Sequence, residues 1–129
     1  MRMDTVYSYL AAVFGFFIGA MLGGVDKLLT AVLIFMVLDY LTGMFCAWKD
    51  KTLSSRKGLI GLMKKVGMLF LICVGHVLDT MVMGNGAAFR SMVIFFFIAN
   101  EGLSILENCG RMGIPIPGKL KDVIENLRE

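Results

Sequence analysis

The segment that decides the fold of this chain is residues 49–65, KDKTLSSRKGLIGLMKK. It holds six of the chain's 13 basic residues and a single acid, Asp50. Mostly apolar runs of about twenty residues, the length that crosses a bilayer, flank it on both sides. Because Lys and Arg resist translocation, a basic segment between two such runs predicts a loop on the cytoplasmic side of a membrane.

The overall composition also indicates that the chain lies in a lipid bilayer. The chain has 129 residues, of which 57% are hydrophobic and 18% charged, with a net charge of +3. A soluble domain of this size buries only about 60–70% of its surface, so the apolar excess predicts a single integral membrane domain over residues 1–129. The basic residues lie beside apolar runs without a base-reading motif, so we expect membrane lipids as partners and no nucleic acid.

Neither enzyme chemistry nor a cofactor is indicated. The chain has one histidine, and its three cysteines (Cys46, Cys73 and Cys109) lie in separate segments without metal-ligand spacing. No nucleophile–base set and no phosphate-binding glycine loop is present in the sequence. We therefore expect no catalytic residues, no metal and no cofactor.

Four spans are predicted, at about residues 6–24, 28–48, 66–83 and 87–106, followed by a tail over 109–129. The links at 25–27 and 84–86 are so short that they predict two antiparallel hairpins. With the basic segment in the cytoplasm, both termini also lie inside. The fold class is an all-α integral membrane protein, although a first span lying in the interface would leave three crossings.

Two amphipathic segments are predicted outside the spans. Residues 54–65 begin with Ser54 and Ser55, which suit a helix N-cap, and then alternate apolar and basic sides. They predict an interfacial helix, and a solvated basic loop is the alternative. Residues 119–129 have apolar positions at helical spacing, which predicts a short helix that docks on the cytoplasmic face, docks on a neighbouring chain or frays into solvent. The residues expected to set topology and to meet lipid headgroups are Lys49, Lys51, Arg56, Lys57, Lys64 and Lys65.

The first span carries Gly15, Gly19 and Gly23, spaced four residues apart. Small residues at this spacing line one face of a helix and let two backbones approach closely in lipid. The face predicts helix packing, either within one chain against the second or fourth span, or between copies of the chain.

Ionisable residues also fall inside the third and fourth spans. Asp79 and Arg90 lie at similar depth beside the 84–86 turn, which predicts an ion pair between them. His76 lies one helical turn deeper, and a structural contact explains it better than a metal site.

Asp39 lies near the middle of the second span, and Asn100 and Glu101 lie in the inner half of the fourth. Neither acid has an obvious cation at its own depth, although Lys64 or Lys65 could reach Glu101. One interpretation makes the acids protonated or hydrogen-bonded packing groups. The other, which we favour at this point, has them face a water-filled lumen once several copies assemble.

Several short motifs together resemble the toxin-secretion/phage-lysis holin family. The motifs are Asp39-Tyr40-Leu41-Thr42-Gly43 with Ala47 and Lys49; Leu53-Ser54-Ser55-Arg56-Lys57-Gly58-Leu59-x-Gly61 with Lys64-Lys65; His76-x-Leu78-Asp79; Asn100-Glu101-x-x-Ser104-Ile105-x-Glu107-Asn108; and Gly113-x-Pro115-x-Pro117-x-Lys119-Leu120. Their order and spacing cover about residues 30–127, whereas the first span is similar in character only.

The resemblance implies a holin of the bacterial cytoplasmic membrane. Such a protein oligomerises with itself and forms lesions that pass an endolysin, or in toxin loci a toxin, and an antiholin is a further expected partner. The resemblance carries over a polar series for folding or assembly: Asp39, Thr42, Gly43, Glu101, Ser104 and Glu107. A small ion or solute transporter and a non-pore membrane scaffold are the alternatives, although the two hairpins show no internal repeat typical of transporters.

Overall fold

The computed structural model describes residues 2–82 and 86–128, the side chain of Arg128 excepted. The described chain forms five helices: α1 (Met3–Met21), α2 (Lys27–Lys49), α3 (Ser55–Val82), α4 (Ala88–Arg111) and α5 (Gly118–Arg128). The first four are long and apolar enough to cross a membrane, which confirms the all-helical class with four candidate membrane spans. The predicted turn at 84–86 and the end of the third span fall mostly outside the described residues.

Local signals in the sequence set the helix ends. Asp26 is the N-cap of α2, and its carboxylate accepts the Leu29 backbone N–H at 2.9 Å. At the start of α3, the hydroxyl oxygen of Ser54 accepts the Lys57 backbone N–H at 3.2 Å. A turn at Lys51, whose φ is 59°, terminates α2. The N–H of Thr52 then reaches back to the carbonyl of Ala47 at 2.8 Å, the hydrogen bond of a Schellman turn.

The core lies between α2, α3 and α4, with α4 in contact with α2, α3 and α5. It is built from apolar side chains at helical spacing: Leu22, Leu29, Val32, Met36, Ile72, Ile94, Phe97 and Ile98. A glycine sets the closest approach of α3 to α4, since a Cβ at Gly75 would lie 3.0 Å from the Cα of Arg90. Any larger residue there would push the two helices apart.

The segment predicted as a helix over residues 54–65 is helical and leads directly into the third span, since residues 55–82 form one uninterrupted helix. Two boundaries differ from the sequence prediction. The fourth helix continues to Arg111 and turns at Gly113, whose φ is 87°. The first helix ends at Met21 rather than near residue 24, because Gly23 and Gly24 both have positive φ.

The tail helix α5 docks on α4 of its own chain. Its Ile124 is buried, and a Cβ at Gly102 would lie 3.2 Å from that side chain and 3.3 Å from Phe35. Because Gly102 has no side chain, Ile124 of α5 can pack closely against α4 at this point. The sequence left open docking on the cytoplasmic face, docking on a neighbouring chain, or fraying; in the structure α5 packs against α4 of the same chain.

Helix α1 has no residue buried in the bundle. Its large apolar side chains are exposed along its whole length, from Met3 to Met21. Packing of this helix against the second or fourth span, one of the two expectations for its glycine face, is therefore absent from the structure.

Candidate functional site

Two polar clusters lie within the helical bundle, near opposite ends of α4. The first, here called the carboxylate cluster, consists of Asp39 and Thr42 on α2, Lys65 on α3, and Glu101 and Asn108 on α4. The ammonium of Lys65 donates to the carboxylates of both Asp39 and Glu101. The side chains of these three residues are 15%, 15% and 9% exposed.

An amide completes this cluster. Asn108 donates from Nδ2 to Oδ1 of Asp39 at 3.3 Å and to the hydroxyl oxygen of Thr42 at 3.0 Å. The backbone carbonyl of Asn108 accepts a hydrogen bond from the Cys46 thiol, with an S···O distance of 3.2 Å. Each helix of the core thus contributes a polar group to one connected network, which satisfies groups that would be costly in an apolar interior.

The network changes the interpretation of the two acids. The expectation that Lys64 or Lys65 could reach Glu101 is confirmed for Lys65. The expectation that Asp39 has no cation at its depth is wrong, because Lys65 also pairs with Asp39. Lys65 in turn points into the bundle, so its predicted place among the headgroup-facing lysines is also wrong. In this conformation the carboxylates face a lysine of the same chain, and a water-filled lumen is not needed to solvate them.

The second cluster surrounds Arg90, whose side chain is 4% exposed. Its guanidinium donates to the carbonyl of Leu22 at 2.6 Å, to that of Gly24 at 2.9 Å, and to the carboxylate of Asp26 at 2.7 Å. These bonds tie the turn between α1 and α2 to the first turn of α4. The hydrogen bond from Arg90 lowers the pKa of Asp26 below its ordinary value, although partial burial opposes it.

The predicted ion pair between the side chains of Asp79 and Arg90 is wrong, although Asp79 does contact the backbone of Arg90. Both carboxylate oxygens of Asp79 accept backbone N–H groups, those of Phe89 at 2.8 Å and of Arg90 at 2.9 Å. Asp79 thus caps the start of α4 from a neighbouring helix, where Ala87 offers no side-chain cap. The Arg90 side chain turns away to Asp26.

Gly23 and His76 belong to the same end of the bundle. A Cβ at Gly23 would lie 2.5 Å from Nε of Arg90 and 2.9 Å from Nδ1 of His76. Gly23 therefore permits the Arg90 contacts and is not part of a helix face, which corrects its grouping with Gly15 and Gly19. Within residues 2–82 and 86–128, no group of three or more potential metal ligands is found, with or without His76.

The remaining predicted residues lie around these clusters without joining them. Gly43 faces Asn108, since a Cβ at Gly43 would lie 3.7 Å from Nδ2 of that amide, and Ser104 lines a cavity beside Asp39. Asn100 is half-buried and Glu107 is exposed. Lys49 donates to the carbonyl of Arg111 at 3.0 Å. Of the six basic residues predicted to meet lipid headgroups, all except Lys65 are exposed: Lys49, Lys51, Arg56, Lys57 and Lys64.

Sequence reasoning missed three of the groups that organise the site. Asp26 was available as the residue directly before an apolar run, where an N-cap is expected. Asn108 lies two turns after Glu101 on the same helix face, a spacing of seven. Tyr40 donates its hydroxyl proton to the Gly58 carbonyl at 3.1 Å, and no pattern in the sequence indicated that contact.

A chain of four membrane-length helices with a buried charge network defines a small multi-span helical membrane protein. Sequence comparison then gives its family: the model of the bacteriophage holin family matches residues 16–129, and the chain belongs to that family. Its members permeabilise membranes and are not enzymes, so this chain is not an enzyme.

The chain is similar to proteins of several bacteria and of a bacteriophage. An uncharacterized 14.9 kDa protein from the nagH 3' region of Clostridium perfringens is 43% identical over 105 residues, which cover 81% of this chain and 80% of the relative. An uncharacterized Listeria monocytogenes protein is 37% identical, covering 95% and 86%. A probable holin of Bacillus phage phi105 is 38% identical, covering 80% and 76%. No solved structure matches the chain.

Proposed function

We propose that this protein is a holin that oligomerises in the bacterial cytoplasmic membrane and forms lesions through which an endolysin leaves the cell. In a toxin locus, the passenger would be a toxin. Family membership supports the holin role. The observation that carries the oligomeric part of the proposal is helix α1, which is apolar, long enough to span and unburied along its whole length.

Helix α1 offers a surface suited to self-association. Gly15 and Gly19 lie on one face, and a Cβ built at Gly15 would meet no other helix of the described chain within 4 Å. A small-residue face permits close backbone contact, which is the main source of helix association in lipid. A second copy of α1 is the partner of matching chemistry.

The lesion itself needs polar surface, because helices that line water must turn polar groups toward it. The strongest polar groups of the core are already paired, with Lys65 bound to Asp39 and Glu101. We therefore expect assembly to precede opening, and we expect opening to rearrange α2, α3 and α4 so that this cluster meets water.

Timed expression in bacteria, with a muralytic enzyme produced in the same cells, tests the function. A holin gives an abrupt loss of membrane potential followed by lysis. Steady growth with selective solute uptake would instead establish the transporter, and steady growth without either would establish a scaffold.

A pair of α1 variants tests the route to assembly. Gly15→Leu with Gly19→Leu should delay or abolish the loss of potential, because bulky side chains separate the helices. Val13→Leu with Phe17→Leu is the matched control, since these residues lie on the opposite side of α1. Neither pair touches the core, so both proteins should accumulate in the membrane; equal timing in the two would refute the role of the glycine face.

A further inference from the structure

A cavity of about 330 Å³ lies between α2 and α3, close to the carboxylate cluster. Small residues line it and leave the space open: Gly43 and Ala47 on α2, and Gly58 and Gly61 on α3. Tyr40 spans the gap and bonds to the Gly58 carbonyl, which holds the two helices at this separation. The cavity is partly open, and exposed residues of the basic segment, Lys57 and Lys64, are among those that line it.

The charges that line this cavity are mostly positive. Lys57, Lys64 and Lys65 meet a single acid there, Asp39. Lys65 is already shared between Asp39 and Glu101 within the carboxylate cluster, so it is not available to a ligand. Lys57 and Lys64 are exposed and form no ion pair with any residue in the described part of the chain. Two ammonium groups therefore remain available at the mouth of the cavity.

We propose that this cavity binds the phosphate group of an anionic lipid headgroup, held between Lys57 and Lys64. The two lysines lie seven residues apart on one face of α3, and their long side chains can converge on one anion. The cavity is at the small end of the range for ligand pockets, which suits a headgroup rather than a whole lipid.

The surroundings favour a lipid over a soluble phosphate. Leu59 and Leu62 are exposed on the same part of α3, beside a second cavity that shares Met44 and Gly58 with the first. Acyl chains can lie along this apolar surface while the phosphate enters the basic cavity. A soluble phosphate would leave these apolar side chains uncovered. The inference goes beyond the proposed function, because it concerns lipid binding and holds whether or not the protein forms lesions.

The tryptophan of the chain provides a reporter. Trp48 is the single tryptophan and follows Ala47 of the cavity wall directly. The full chain in mild detergent is titrated with phosphatidylglycerol or phosphatidylcholine carrying brominated acyl chains, which quench a nearby indole. The wild type should be quenched at lower mole fractions of the anionic lipid than of the zwitterionic one.

Two pairs of variants that remove the same charge distinguish specific binding in the cavity from non-specific electrostatic attraction to anionic lipid. Lys57→Gln with Lys64→Gln should weaken phosphatidylglycerol binding about fivefold per lysine, as for a lysine near a lipid surface, and leave phosphatidylcholine unchanged. Lys119→Gln with Lys121→Gln removes the same charge from two exposed positions of α5 and should retain wild-type binding. An equal loss in both pairs would overturn the proposal. Displacement of the lipid by inorganic phosphate near the lipid's own midpoint would also overturn it, in favour of a soluble ligand.

Discussion

Lys65 is the residue on which the carboxylate cluster depends, and Lys65→Met tests it. The substitution keeps a long side chain but leaves Asp39 and Glu101 close together without their shared cation. Removing one partner of a buried ion pair costs about 3–5 kcal/mol, because the remaining charge stays desolvated. Here two carboxylates are left, so we expect a loss of unfolding free energy of about that size. Such a loss is a large share of the roughly 5–15 kcal/mol of a typical domain.

The assay is unfolding of the purified protein in mild detergent by added SDS, followed by circular dichroism. Lys64→Met is the matched control, since Lys64 is the adjacent residue, exposed and without an ion pair in the described chain. Its effect should stay within about 0.5 kcal/mol.

A rescue variant separates the loss of charge balance from the loss of the lysine itself. Lys65→Met combined with Asp39→Asn and Glu101→Gln makes the cluster neutral, and replacing a whole buried network is often nearly neutral in stability. Most of the lost stability should return. Equal midpoints for Lys65→Met and Lys64→Met, or a triple variant no more stable than Lys65→Met, would refute the electrostatic role of the cluster.

Two further substitutions test the packing and the Arg90 end. Gly75→Ala should lower the free energy of unfolding by about 1–3 kcal/mol, because the added Cβ would contact the Arg90 backbone. Gly67→Ala on the same helix is the control: its added Cβ meets open space, so this variant should raise the free energy of unfolding by about 0.5–1 kcal/mol. The same SDS midpoints measure both, and a Gly75→Ala protein as stable as Gly67→Ala would contradict the close approach. The hydrogen bond from Arg90 lowers the pKa of Asp26 below its ordinary 3.8 in the folded protein. The ionised carboxylate therefore stabilises the fold fully above pH 3.8, and this stabilisation is lost as the pH falls toward the pKa that Asp26 has in the folded state. Asp26→Asn should therefore flatten the acid limb of the stability–pH profile, and an unchanged limb would show that the Arg90 contact does not matter.

The helices were predictable from the sequence because each is specified locally. Apolar runs of membrane length gave the four spans, and Ser54 marked the start of α3 as an N-cap. The Schellman turn at Lys51 was not predictable, since lysine rarely adopts positive φ and the sequence carries no glycine signal there.

The side-chain partners were harder to predict because they depend on helix rotation. Lys64 and Lys65 are adjacent in the sequence, yet consecutive residues of a helix point about 100° apart, so one faces solvent or lipid and the other enters the core. The similar depth of Asp79 and Arg90 in the membrane correctly predicted that these two residues lie next to each other. It could not show that the Asp79 carboxylate accepts backbone N–H groups at the start of α4 and leaves the Arg90 side chain to another partner. The docking of α5 depends on a contact between Ile124 and Gly102, which are 22 residues apart and share no local pattern.

Self-assembly is the central claim of this account, and the mass of the particle in a membrane-like environment tests it most directly. The protein is extracted in mild detergent and, in parallel, reconstituted into bilayers, and the mass and image of the particle are determined. We predict a complex of several 14.2 kDa chains, reduced in size by Gly15→Leu with Gly19→Leu. A particle of one chain in every detergent and lipid, at every protein concentration, would contradict the account.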